Sequence, residues 1–121
     1  PDFGILVYPV ISMKKNITHQ FSRFNLMGKS PSEDTVIKFS TEEQVAEDTP
    51  ATILFHCSDD PAVKPENSIV FYQALLRNAV PAEMHVYPKG RHGWGFIEGA
   101  PFPYFNEFKT TVLQWIAEQN N

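Results

Sequence analysis

Apolar positions run along this chain in two different periods, and the change from one to the other predicts its elements. Ala51 to His56 is an unbroken apolar run, stopped by the polar turn Ser58-Asp59-Asp60-Pro61. That pattern predicts a short buried strand and a loop. From Asn67 to Ala79 the apolar residues Val70, Phe71, Ala74 and Leu75 recur at steps of one, three and four, the spacing of one helix face. Pro81 breaks that helix, and Ala82 to Tyr87 returns to a strand pattern. Lys89-Gly90-Arg91-His92-Gly93-Trp94-Gly95 then sets a histidine between glycines, which suits a tight loop open to close approach. Strand, helix and strand make a βαβ unit with parallel strands. Reactive groups in such sheets gather at the carboxyl ends of the strands. Asp60 follows the first strand and His92 the second, so both are expected at one edge.

The flanking segments extend the same architecture. Asp2 to Ile11 is apolar on both faces, as in a strand buried between helical layers, and Pro9 is expected to end its regular pairing. Ser12 to Lys29 is a polar and aromatic excursion carrying His19, Phe21, Phe24 and Leu26. Ser30-Pro31-Ser32-Glu33 has capping-box spacing with proline at the first helical position, predicting a short helix over 31–39. Ser40 and Glu43 repeat that spacing, predicting another short helix to about Glu47. Gly99 to Pro103 reads as a turn. Asn106 to Glu118 reads as a final helix with Phe108, Val112, Trp115 and Ile116 on one stripe.

Composition narrows the classes. With 42% hydrophobic and 20% charged residues among 121, the chain is globular, and its length fits one domain or part of one. A net charge of −4 gives no basic stripe, so a nucleic-acid partner is not expected. No apolar run approaches the roughly 20 residues that span a bilayer, so no membrane partner is expected. The single cysteine, Cys57, excludes an intramolecular disulfide and a cysteine-cluster zinc site. His56, His85 and His92 lack a helical four-residue pairing, so neither metal nor another cofactor is expected. Gly28-Lys29-Ser30 echoes a phosphate loop. Arg23 stands where the earlier glycine is required, however, and that reading fails.

Two motifs carry a resemblance. His56-Cys57-Ser58-Asp59-Asp60-Pro61-Ala62-Val63 and Gly90-Arg91-His92-Gly93-Trp94 resemble the acid and histidine motifs of the α/β-hydrolases. They are nearest the esterase/lipase group of acetylxylan-esterase-like and dienelactone-hydrolase-like enzymes, with prolyl-peptidase domains more distant. The group's HGxxDxxV pattern selects Asp60 rather than Asp59 as the acid. Its GGHGF pattern falls on His92. Cys57, Lys64 and Arg91 depart from the pattern, away from both selected positions. The resemblance implies an α/β fold with flanking helices. It also implies Asp60 and His92 as the acid and base of a Ser-His-Asp triad that cleaves carboxylic esters, acetylated carbohydrates among them. The plainer readings are a turn aspartate and a loop histidine. Asp59 is assigned to the turn, and His56 and His85 to packing. His19 is open between packing and a pocket. Cys57 reads as structural. Trp94 and Phe96 read equally as pocket wall or core.

The nucleophile is not among these residues. No serine stands in G-x-S-x-G spacing, and no HGGG-type loop is present. The family's chain order Ser…Asp…His therefore places residues 1–121 as the C-terminal portion of a single α/β-hydrolase domain, inactive alone. The strand over 4–10 is expected to pair, either with the nucleophile-bearing portion or with a second copy. Two other readings remain: a non-catalytic hydrolase-like binding module, and the C-terminal part of a prolyl-peptidase-type serine peptidase.

Overall fold

The computed structural model describes residues 1–120. Three parallel strands form its centre: β1 (Phe3–Val7), β2 (Ala51–Cys57) and β3 (Ala82–Tyr87), in the order β1-β2-β3. Around them lie helices α1 (Gln20–Met27), α2 (Glu33–Phe39), α3 (Glu66–Arg77) and α4 (Phe105–Gln119), with a single 3₁₀ turn at Thr41–Glu43. This is the α/β arrangement that the alternating patterns predict.

Register sets which side chains meet. Leu6, Leu54 and Met84 align across the sheet, as do Val7, Phe55 and His85. Side chains alternate between faces along a strand. Ile53, Phe55 and Cys57 therefore join Phe108, Val112 and Trp115 of α4, with Trp94 and Phe102. Leu54 faces the other way and packs with Leu75 of α3 and Val80. Thr52 and His56 alternate in step with Leu54. β2 is buried on both faces, which is why its sequence is an unbroken apolar run. Helix α3 ends at Asn78-Ala79. Ala79 takes a left-handed φ of 55°, and the Val80 amide donates back to the Leu75 carbonyl at 3.0 Å.

Several boundaries differ from the sequence expectations, each for a local reason. β1 stops at Val7 and does not reach Val10, because Tyr8 turns the backbone to φ 41°. Its residues are half-buried rather than enclosed. The excursion contains a helix that its polar sequence hid, α1, opened by His19 and closed by Gly28 at φ 77°. α2 begins two residues later than expected, because Ser32 rather than Ser30 is the cap and accepts from the Thr35 amide at 3.2 Å. The helix expected from Ser40 is only the 3₁₀ turn. The Ser40 hydroxyl does not cap it. It donates to the Val36 carbonyl at 2.8 Å and accepts from the Met13 amide at 2.9 Å.

Candidate active site

Asp60 sits three residues past the end of β2 and His92 five past the end of β3, so both stand at the carboxyl edge of the sheet. The Asp60 side chain has no exposed surface. Its Oδ1 accepts from the amides of Ala62 at 2.8 Å and Val63 at 2.9 Å, a turn in which the side chain caps its own loop. Its Oδ2 accepts from Nδ1 of His92 at 2.7 Å. A proton on Nδ1 leaves Nε2 of His92 as an acceptor. The imidazole keeps about a third of its surface, with a side-chain exposure of 32%. A covered carboxylate holding an accessible imidazole in one tautomer is an arrangement suited to taking a proton from a hydroxyl.

The histidine loop is held by its backbone as well. Asp59 Oδ1 accepts from the Arg91 amide at 2.8 Å. That hydrogen bond, ahead of opposing desolvation, holds the Asp59 carboxyl below its ordinary range. Adjacent acids thus grip adjacent residues of the opposite loop, each across 32 positions: Asp59 the backbone of Arg91, Asp60 the ring of His92. Arg91 has a left-handed φ of 60°, a conformation that costs a side-chain-bearing residue roughly 1–2 kcal/mol. At Gly90 a Cβ would lie 2.6 Å from the Phe102 ring and 2.7 Å from Cys57 Sγ, so only glycine fits. Trp94 stacks on Phe102 at 3.9 Å and anchors the loop in the core.

His56 also approaches Asp60, with Nε2 at 3.3 Å from Oδ2, but its chemistry is different. Nε2 donates to the Val63 carbonyl at 2.9 Å, and Nδ1 accepts from the Ser68 hydroxyl at 2.7 Å. Burial, partly offset by the Val63 carbonyl and by Asp60, pushes its pKa below the ordinary value. A neutral His56 does not compete with His92 as a cation for Asp60. It ties the acid loop to α3, the packing role the sequence assigned it.

The remaining candidates are separated by their surroundings. His85 hydrogen-bonds Glu83 at 2.5 Å and stacks on Phe55 at 5.3 Å. His19 caps α1, its Nδ1 paired with the Ser22 hydroxyl at 2.8 Å. Cys57 is buried, and burial pushes its thiol up to about 11, so it is no thiolate near neutral pH. Trp94 is core, whereas Phe96 is 55% exposed. Beside α1 an open groove of about 570 Å³ is lined by Val10, Met13, Phe21, Ser22, Asn25 and Leu26. Among the described residues no three His, Cys, Asp or Glu side chains converge as a metal site, and no helix is long and apolar enough to cross a membrane.

Two residues at this edge escaped sequence reasoning. Asp59 passed for turn chemistry; only its equal separation from the histidine loop hinted otherwise. Tyr8, just past β1, places its ring 4.3 Å from that of His92. Nothing in a lone Tyr-Pro pair marks such a contact.

Known proteins match almost the whole chain. An acetylxylan esterase of Xylanibacter ruminicola is 32% identical over 120 residues, covering 96% of this chain and 25% of that enzyme. An endo-1,4-beta-xylanase B of Butyrivibrio fibrisolvens is 38% identical over 93 residues, covering 77% of this chain and 14% of that protein. The crystal structure of an acetyl ester-xyloside bifunctional hydrolase from Caldicellulosiruptor lactoaceticus superposes with a TM-score of 0.90 and 37% identity. It covers 98% of this chain and 42% of that one. This chain thus spans about a quarter of the curated esterase and less than half of the solved hydrolase. The esterase likeness drawn from the Asp60 and His92 motifs agrees with these relatives. The matching family model carries the name of the peptidase branch that the motifs had placed farther off. It covers residues 2–119, and on that match the chain belongs to the prolyl oligopeptidase family of α/β-hydrolases.

Proposed function

We propose that this chain supplies the acid and the base of a Ser-His-Asp triad in a carboxylic-ester hydrolase acting on acetylated carbohydrate. The observation that carries the reading is the 2.7 Å bond from Nδ1 of His92 to the covered carboxylate of Asp60. In the mechanism, Nε2 of His92 accepts the proton of a serine hydroxyl as the oxygen attacks the ester carbonyl. Asp60 holds the tautomer and stabilises the imidazolium that forms. The imidazolium then protonates the leaving alcohol, and the same pair activates water to release the acid from the acyl-enzyme. No serine in G-x-S-x-G spacing occurs in the 121 residues, so the nucleophile comes from outside them. The half-buried strand β1 is the natural place for the nucleophile-bearing portion, or a second copy of this chain, to pair. The choice of acetylated xylan-type substrates rests on the acetylxylan esterase and the acetyl ester-xyloside hydrolase that this chain resembles. The family model's name favours one other reading, a serine peptidase.

The test is to assay the 121-residue chain on a short-chain aryl ester, on acetylated xylan and on a prolyl peptide, alone and joined to the G-x-S-x-G portion of the gene. Alone it should be inert, since loss of the serine from such a triad costs on the order of 10⁶-fold in kcat. Joined, it should release acetate, and His92→Ala should abolish that release. Turnover of the peptide but not the esters would favour the peptidase. No turnover in either form would favour a binding module.

A further inference from the structure

We propose that Tyr8 is a positioning residue for His92: its ring is the surface that keeps the imidazole aligned with Asp60, and the chain accepts a strained backbone to place it there. The proposal rests on the reading of His92 as the base. Among the described residues three non-glycine positions have positive φ: Tyr8, Ala79 and Arg91. Ala79 ends helix α3, an ordinary site for that conformation. The other two flank the histidine, Arg91 in sequence and Tyr8 in space. For a bulky residue the left-handed region is a true outlier, and such residues collect at functional sites.

The geometry gives the strain a use. Sheet pairing runs one residue beyond β1, with the Tyr8 amide donating to the Phe55 carbonyl at 2.7 Å, and there the backbone turns. The ring lies 4.3 Å from the His92 imidazole, centre to centre, tilted by 51°. It meets Trp94 edge-on at 5.2 Å, so it is fixed by the core on one side while it touches the imidazole on another. Gly95 leaves room for it, since a Cβ there would come within 3.3 Å of the tyrosine hydroxyl. A single hydrogen bond at Nδ1 allows the imidazole to swing. A packed ring removes that freedom, and catalytic geometry is held by side chains whose own rotamers are locked. The three strands then contribute in turn: β1 the ring, β2 the acid, β3 the base.

The experiment compares Tyr8→Phe, Tyr8→Ala and Tyr8→Gly in the form of the protein that turns over an aryl ester. His92→Ala is the control. Tyr8→Phe should stay within about twofold of the parent, because the ring remains. Tyr8→Ala and Tyr8→Gly should both lose about 10-fold in kcat. Tyr8→Gly should nevertheless melt about 5 °C above Tyr8→Ala, because glycine takes the left-handed backbone without strain. Loss of activity at two different stabilities is what a merely structural ring does not produce. In parallel, the Nδ1 proton of His92 should be seen by NMR in the parent and Tyr8→Phe chains, and broadened by exchange in the other two. Recovery of kcat in Tyr8→Gly together with Tm would overturn the proposal. So would a loss in Tyr8→Phe equal to that in Tyr8→Ala. If His92→Ala leaves turnover unchanged, the reading of the base fails on its own. The Nδ1 proton then decides for Tyr8: its persistence in Tyr8→Ala and Tyr8→Gly overturns the positioning role as well.

Discussion

The crossover unit β2-α3-β3 and the excursion before it, residues 8–50, are held together by different forces. In the unit, residues 51–87, buried apolar residues outnumber buried polar ones eight to four, with Ile53, Leu54, Phe55, Ala74 and Leu75 among the eight and Thr52, His56, Asn67 and Ser68 the four. In residues 8–50 the buried side chains are two apolar, Ile11 and Met13, against five polar: Ser12, Thr18, Arg23, Ser40 and Glu42. Those segments are fastened to the unit by Asn67 and Lys64 bonding to their backbone, and to one another by Arg23 and Lys14. Asn67, fully buried at the start of α3, uses its whole amide. Oδ1 accepts from the Ile11 and Ser12 amides, each at 3.0 Å, and Nδ2 donates to the Ile17 carbonyl at 2.8 Å and the Lys64 carbonyl at 3.0 Å. Arg23 Nε donates to the Met13 carbonyl at 2.9 Å, and Lys64 Nζ to that of Asn16 at 2.8 Å. Lys14 joins Glu43 and lies 3.5 Å from Glu42, and its pKa is raised, chiefly by Glu43. Apolar burial is non-directional and tolerates slippage. A hydrogen-bonded hub fixes one position, which suits a segment beside the candidate site.

The two kinds of support should fail differently. Phe55→Ala should cost the most, about 3–5 kcal/mol, because it removes a fully buried ring from both Phe108 and His85. It should lower the denaturant midpoint of the whole chain. Asn67→Ala should cost less, about 3 kcal/mol, by leaving buried amides and carbonyls unpaired. Its signature should be local: amide exchange should speed up at Ile11 and Ser12 more than in β2. Equal acceleration in both regions would mean that the two are held by the same forces.

A smaller effect comes from pH. The folded pKa of His56 lies below its ordinary 6.5, because burial disfavours the charged form. The unfolded chain therefore takes up the proton first. Stability from this residue is complete above about 6.5 and is lost as pH falls through the window down to the folded value. Tm should fall as the pH drops below about 6.5, and His56→Gln should flatten part of that fall. An unchanged slope would remove His56 as its source.

The same contrast governs what the sequence could tell. The crossover unit was legible because apolar periodicity is written residue by residue: β3 matches its expected ends, and β2 and α3 match within two residues. The juxtaposition of Asp60 and His92 followed from the parallel order of two strands. The excursion was not legible, because its determinants lie far away in sequence. Nothing local says that Asn67 will accept from Ile11, 56 positions earlier, or that Ser40 will serve Met13 rather than cap a helix. Tyr8 and Asp59 were missed for the same reason. Each acts across a loop gap, and a strained φ leaves no mark in composition.

The central claim is that Asp60, and not its neighbour, orients His92 for proton transfer. The most direct measurement is kcat on an aryl ester for Asp60→Asn and Asp59→Asn in the serine-bearing form of the protein. Asparagine at position 60 keeps the shape but offers Nδ1 the wrong partner, so kcat should fall by about 10⁴-fold. At position 59 an amide oxygen still accepts from the Arg91 amide, so kcat should stay within about 10-fold of the parent. Equal losses at the two positions, or a larger loss at Asp59, would contradict the account.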